Sequence, residues 1–236
     1  MIFSAAQFVF QSPAAVVQAR RILLKPNAAY ALPPPISTSR EILETVIAGI
    51  RQASDADILL LEGAAGGESM HVIYRELGYD FPRVLTLDVR DCILVEVENP
   101  LARPFALSTI WVPNVVLSCD YLITVAPFKI LGNNGSFSIM NLLSLLPASK
   151  YRGELHSLGI HRVVADLYFT LPFDLGIIDA RHRLISGDDP TRGEVEEYGK
   201  VFVGEPFEVD LEASEVAGLQ TEYLGLIEEA RGELEP

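Results

Sequence analysis

Four stretches of the 236-residue chain place charged or amide side chains where an apolar run stops. They are Lys25-Pro26-Asn27, Glu62-Gly63, Phe128-Lys129 with the polar turn Gly132-Asn133-Asn134-Gly135-Ser136, and the segment from Ser186 to Glu194 that holds Asp188, Asp189 and Arg192. A strand-end lysine followed by Pro-Asn presents an ammonium and an amide at a pocket mouth. Lys129 with its turn suits a phosphate or carboxylate. The glycines let backbone N–H groups come close, and a helix starting near Ser136 would aim its free amides at the turn. Such a helix start favours an anion by about 0.3–1 kcal/mol at an exposed surface. A lysine bond to the same anion adds roughly 1.5–3 kcal/mol. An ordinary N-capped turn uses the same residues, and the Walker spacing is absent.

Other residues extend this set. Asn141 lies inside the apolar run SFSIMNLLSLL, three residues after Ser138, and faces either the same cavity or solvent. Asp188 and Asp189 are suited to a hard cation, and Arg192 to a carboxylate or phosphate; the alternative is a solvated DDP turn. His71, His156, His161 and His182 form no zinc-binding spacing. His156 with Asp166 fits an acid–base role, because imidazole titrates near neutrality. The candidate catalytic residues are therefore Lys25, Lys129 and His156. The candidate ligand-binding residues are Asn27, Glu62, Asn133, Asn134, Ser136, Asn141, Asp189 and Arg192. No metal site is expected.

Alternating strand and helix patterns must position these groups. RILLK, ADILLLEG, RVLTLDV, DYLITVAPF, FDLGIIDARHRLI and GKVFVGE read as strands, and the continuous apolar runs among them indicate burial on both faces. STSREILETVIAGIRQAS reads as a helix with a Thr38/Glu41 capping box and an apolar face of Ile42, Leu43, Val46, Ile47 and Ile50. GGESMHVIYRELG is a helix closed by Gly78. SFSIMNLLSLL and SLGIHRVVADLYFTL are further helices, and one or two surface helices end the chain. The N-terminal MIFSAAQFVFQSPAAVVQARR reads as a strand and a short helix, not an export signal. Residues 91–120 give no clear pattern. The expected fold is an α/β layered sandwich with a mostly parallel central sheet flanked by helices, in one domain over 1–236 with an acidic helical segment at 206–236. In such sheets ligands bind outside the carboxyl ends of the strands, and the four stretches lie there.

Composition narrows the classes. At 49% hydrophobic residues the chain can bury a large core, and its mean hydropathy of +0.26 excludes intrinsic disorder. No run reaches the roughly 20 apolar residues of a membrane span. The formal charge is −14, and residues 187–236 hold 15 acids and 3 bases, a net −12. No basic stripe for nucleic acid is present. Cys92 and Cys119 lack a partner motif, which points to a reducing, cytoplasmic setting.

The ordered pieces ILLKPN, LLEG, LITVAPFK, MNLLSLLP, IIDARHRLISGDDPTRGE and VFVGEPFEVDLEASEVAGL resemble the microbial family catalogued as domain of unknown function 362, over roughly residues 20–220. By that resemblance Lys25, Asn27, Lys129, Asn141, His156, Asp166, the 187–193 turn and Asp210 occupy family positions. The resemblance implies no settled reaction or cofactor, and it implies the company of a ferredoxin-like iron–sulfur protein. The chain departs from the family where Lys129-Ile130-Leu131 lacks a histidine and where Met140 replaces a lysine. Three readings follow. The first is a binding protein, or an enzyme, for a small anionic molecule. The second is a redox accessory of a ferredoxin-like partner. The third is a remnant without chemistry.

Overall fold

The computed structural model describes residues 1–151, 155–187 and 189–234, except for the side chains of His156, Glu233 and Leu234. Ten strands are present among them: β1 (Ile2–Ser4), β2 (Arg21–Pro26), β3 (Asp57–Glu62), β4 (Val84–Asp88), β5 (Leu94–Glu98), β6 (Thr109–Pro113), β7 (Tyr121–Leu131), β8 (Asn134–Ser136), β9 (Leu175–Ser186) and β10 (Glu194–Gly204). The helices are α1 (Ala14–Gln18), α2 (Arg40–Ala53), α3 (Met70–Glu76), α4 (Asn114–Leu117), α5 (Ala148–Tyr151), α6 (Leu155–Leu158), α7 (Ile160–Thr170), α8 (Pro206–Ala217) and α9 (Glu222–Leu234), with a 3₁₀ turn over Met140–Leu145.

The main sheet runs β1-β10-β9-β7-β2-β3-β4, with β8 folded back on β7. The β9-β7-β2-β3-β4 portion is parallel, and β10, β1 and β8 are antiparallel. This is the mostly parallel α/β sandwich expected from the alternating pattern. The order carries a topological reversal. From β2 the chain winds outward through α2 to β3 and through α3 to β4, then returns to place β7 on the other side of β2. The switch point lies between β2 and β7.

Burial explains the runs of apolar residues. Along β2 and β3, Ile22, Leu24, Ile58 and Leu60 pack with Ile42, Val46 and Ile50 of α2 on one face. Leu23, Leu59 and Leu61 alternate with them and pack with Leu142, Val164 and Tyr223 on the other. A strand covered on both faces has no polar side to write into its sequence. The helix ends differ in detail from expectation. Ser39, not Thr38, caps α2, and its hydroxyl accepts from Ile42 N at 3.3 Å. Thr38 instead donates its hydroxyl to Val125 O at 2.7 Å, which ties the loop before α2 to β7. Among the described residues no helix is long and apolar enough to cross a membrane.

Two departures bear on the site. The strand expected to end at Phe128 continues to Leu131 through a bulge between Pro127 and Phe128. The helix expected from Ser136 does not form there: Gly132, at φ 59°, turns the chain back and Asn134–Ser136 pairs with Leu131–Lys129 as β8. A left-handed glycine followed by alternating residues closes a hairpin more readily than it starts a helix. The unclear middle of the sequence holds the separate β5–β6 hairpin.

Candidate functional site

β2, β3 and β7 end side by side, and their last residues assemble a buried polar cluster. Lys25, fully buried on β2, donates to Glu62 Oε2 at 2.9 Å, Asn141 Oδ1 at 3.2 Å and Pro26 O at 2.7 Å. Glu62, fully buried at the end of β3, also accepts from Ala28 N and Gly63 N, both at 2.8 Å. Asn141 comes from the 3₁₀ turn and donates Nδ2 to Lys25 O, Pro26 O and Thr124 Oγ1 at 3.1, 3.3 and 3.1 Å. Gly63 permits this approach, because a Cβ there would lie 2.4 Å from Ser144 O of the same turn. Burial lowers the Lys25 pKa, and the charge and hydrogen bond of Glu62 oppose that shift. The pair is a desolvated ion pair with every polar atom used.

Lys129 sits on β7, four residues beyond the last β2 pairing at Val125. Its side chain reaches back to the same edge, where Nζ donates to Asn27 Oδ1 at 3.3 Å. Asn27 is fixed through its backbone: its N–H donates to Thr38 Oγ1 and its carbonyl accepts from Thr38 N, both at 2.8 Å. Lys129 is 3% exposed and makes no ion pair among the described residues. Burial brings its pKa down from 10.5 to about 8; Glu62 opposes this and the Lys25 charge adds to it. Lys25, Asn27, Glu62, Lys129 and Asn141 therefore meet at the switch point, as their strand-end positions suggested.

The remaining candidates lie elsewhere. Ser136 is inside β8, Asn133 is exposed at the hairpin tip, and Asn134 Oδ1 accepts from Glu222 N at 3.0 Å, at the start of α9. The amides expected to face a ligand are occupied from within. Asp210 of α8 accepts from Ser138 N at 2.9 Å, Ser138 Oγ at 2.6 Å, Ile139 N at 2.9 Å and Tyr223 Oη at 2.8 Å. Ser138 thus faces Asp210 while Asn141 faces Lys25. Asp189 and Arg192 are exposed in the β9–β10 connection; Asp189 Oδ1 accepts from Thr191, and Arg192 is 4.0 Å from Asp189. Asp188 and the His156 side chain lie outside the described residues. Asp166 is no free acid–base partner, because it accepts from Asn99 Nδ2 and from the N–H groups of Phe105, Ala106 and Leu107.

Sequence reasoning passed over Thr124 and read Thr38 only as a helix cap, whereas they position Asn141 and Asn27. Their signal was a hydroxyl within or beside an otherwise apolar run. A groove of about 570 Å³ lies at the amino ends of β2, β3 and β4, bordered by Arg21, Asp57, Arg83 and Leu85. None of the buried polar groups described above lines it, so the chemistry favours the carboxyl edge. Among the described residues no three His, Cys, Asp or Glu side chains are grouped to hold a metal ion.

Fold and cluster together define a doubly wound α/β protein with a candidate small-molecule site at its switch point. The chain belongs to the family described as Domain of unknown function (DUF362), whose model matches residues 22–215. Among curated proteins no match is found. Among solved structures the chain is similar to the lactate racemase apoprotein from Thermoanaerobacterium thermosaccharolyticum, at a TM-score of 0.56 and 13% identity, covering 90% of this chain and 53% of that one. At that identity the likeness concerns the fold alone, and this chain spans about half the length of that protein.

Proposed function

We propose that this protein binds a small anionic compound at the carboxyl edge of its sheet, against Lys129 and Asn27, over a floor of Lys25, Glu62 and Asn141. The observation that supports this reading is Lys129 itself: a nearly buried ammonium with one neutral acceptor and no ion pair among the described residues. A buried charge without a partner costs several kcal/mol, and an anion that supplies one recovers part of that cost. Asn27 adds to the case. Its Oδ1 is engaged by Lys129, which leaves its Nδ2 to donate to a carboxylate or phosphate. Lys25 is already neutralised, so it shapes the floor and holds no ligand directly. Asn133, Asn134, Ser136, Asp189 and Arg192 have no part in this reading.

The structural neighbour is named for lactate, a small carboxylate of the class proposed. Cys92 and Cys119 are free thiols, which supports a cytoplasmic setting as part of this reading. Thermal-shift titration with a panel of small carboxylates and phosphates tests the reading. A ligand at one hundred times its Kd adds about 2.7 kcal/mol of stability. Lys129→Met is expected to abolish the shift and Lys129→Arg to keep part of it. An unchanged melting curve across the whole panel overturns the proposal.

A further inference from the structure

The two lysines differ in how many protons they can use. An ammonium has three N–H donors, whereas a neutral amine has two donors and a lone pair. Lys25 Nζ faces three acceptors, on Pro26, Glu62 and Asn141, so each proton of its ammonium is matched and no lone pair is available. Among the described residues Lys129 Nζ faces one acceptor, Asn27 Oδ1. As an ammonium it has two N–H groups without a protein acceptor among the described residues; as an amine it has one and frees its lone pair. Its proton is correspondingly loose, with a pKa of about 8. Desolvation of a lysine is an established way to make an amine nucleophilic.

We propose that the Lys129 amine is the reactive group of the site and condenses with the carbonyl carbon of a short 2-oxo acid to form an imine. The inference rests on the anion-binding reading above and names its ligand class. The Nζ lone pair attacks the carbonyl carbon, and the carbonyl oxygen takes up a proton to give a carbinolamine. That hydroxyl then leaves as water with a proton from nitrogen, and the C=N bond forms. One water is released, no electron changes owner, and no co-reactant is needed. Asn27 Nδ2 is the donor left for the acid's carboxylate. With only 3% of Lys129 exposed, the acid must be compact.

The chain has four lysines, Lys25, Lys129, Lys150 and Lys200, so an adduct is readily assigned. The full chain is incubated with pyruvate, reduced with borohydride, weighed intact and mapped by peptides. The expected result is one reduced adduct, on Lys129, and none in Lys129→Arg. Its rate rises about tenfold per pH unit below 8 and levels off above, since the free amine fraction sets it. The pH profile of the unaltered protein decides the matter even where the variant folds poorly. Adducts spread equally over Lys150 and Lys200, or a rate still climbing at pH 10, overturn the inference. A pyruvate-induced melting shift without any adduct overturns the amine chemistry and leaves anion binding standing. Neither shift nor adduct with pyruvate, glyoxylate or 2-oxobutyrate overturns both.

Discussion

The buried acids behind the sheet and the buried base at its carboxyl edge are treated in opposite ways. Asp166 accepts four hydrogen bonds and thereby pins residues 99–107 to α7. Asp210 likewise accepts four and pins α8 and α9 to the segment leading into the 3₁₀ turn. Lys129 is buried almost as deeply and, among the described residues, donates one bond, to a neutral amide oxygen. The chain can evidently satisfy a buried charge completely. The shortfall at Lys129 is therefore a local property of this edge.

Breaking a satisfied group should cost the most. Glu62→Ala leaves the Lys25 ammonium buried without its counter-ion and removes the acceptor of Ala28 N and Gly63 N. A loss of about 3–5 kcal/mol is expected, read as a lower urea midpoint at unchanged slope. The double variant Lys25→Met with Glu62→Leu should lose clearly less than the sum of its single changes, since no charge is then left alone. Additive losses would remove the ion pair from the comparison.

The unsatisfied group should respond with the opposite sign. Lys129→Met removes a buried charge and is expected to stabilise the protein below pH 8. The folded pKa of about 8 lies below the ordinary 10.5. Between these values the unfolded chain still holds a proton that the folded chain has released, so the stability of the unaltered protein rises with pH through the window. The advantage of Lys129→Met is thus at most about 3 kcal/mol below pH 8 and shrinks toward pH 10.5. Urea titrations at pH 7 and pH 10 measure it. A destabilised Lys129→Met at pH 7 would mean that the lysine is structural after all.

Why part of this edge was legible in the sequence follows from the same contrast. Lys25, Glu62 and Lys129 stand out because each is a lone charge ending or interrupting a long apolar run, and a strand buried on both faces tolerates a charge only near its end. Asn141 was ambiguous because an amide fits both solvent and a buried network. The turn at 132–136 was misread for a physical reason. Glycine and asparagine serve a hairpin as well as a helix cap, and the amides after the turn are taken by Asp210, about 70 positions away, bonded to Ser138 over a separation of 72. The 187–193 turn matched a pattern, but the continuation of β9 and β10 into a hairpin carries it into solvent. The alternating apolar runs announced the sheet, whereas the β5–β6 hairpin, with partly exposed strands, left no comparable trace.

Asp210 offers a smaller test on the anionic side. Full burial raises its pKa from 3.8 to about 6 against four hydrogen bonds that lower it. Here the folded chain keeps a proton that the unfolded chain has released, so this group's contribution to stability falls as pH rises from about 4 to 6. Asp210→Asn cannot titrate and should flatten that window by on the order of 2 kcal/mol relative to the unaltered protein. Parallel urea midpoints against pH for the two proteins would show that hydrogen bonding, not burial, governs this carboxylate.

The smallest effect belongs to the exposed turn. Arg192 is 88% exposed and stands 4.0 Å from a half-exposed Asp189, a geometry in which ion pairs typically contribute 0–1 kcal/mol at most. Arg192→Ala should change the stability by less than about 0.5 kcal/mol and leave any anion-induced melting shift in place. Its value lies in the ligand arm. If Arg192→Ala removes that shift while Lys129→Met keeps it, the anion is held at the β9–β10 turn, and the contrast between satisfied and unsatisfied buried charges loses its functional meaning.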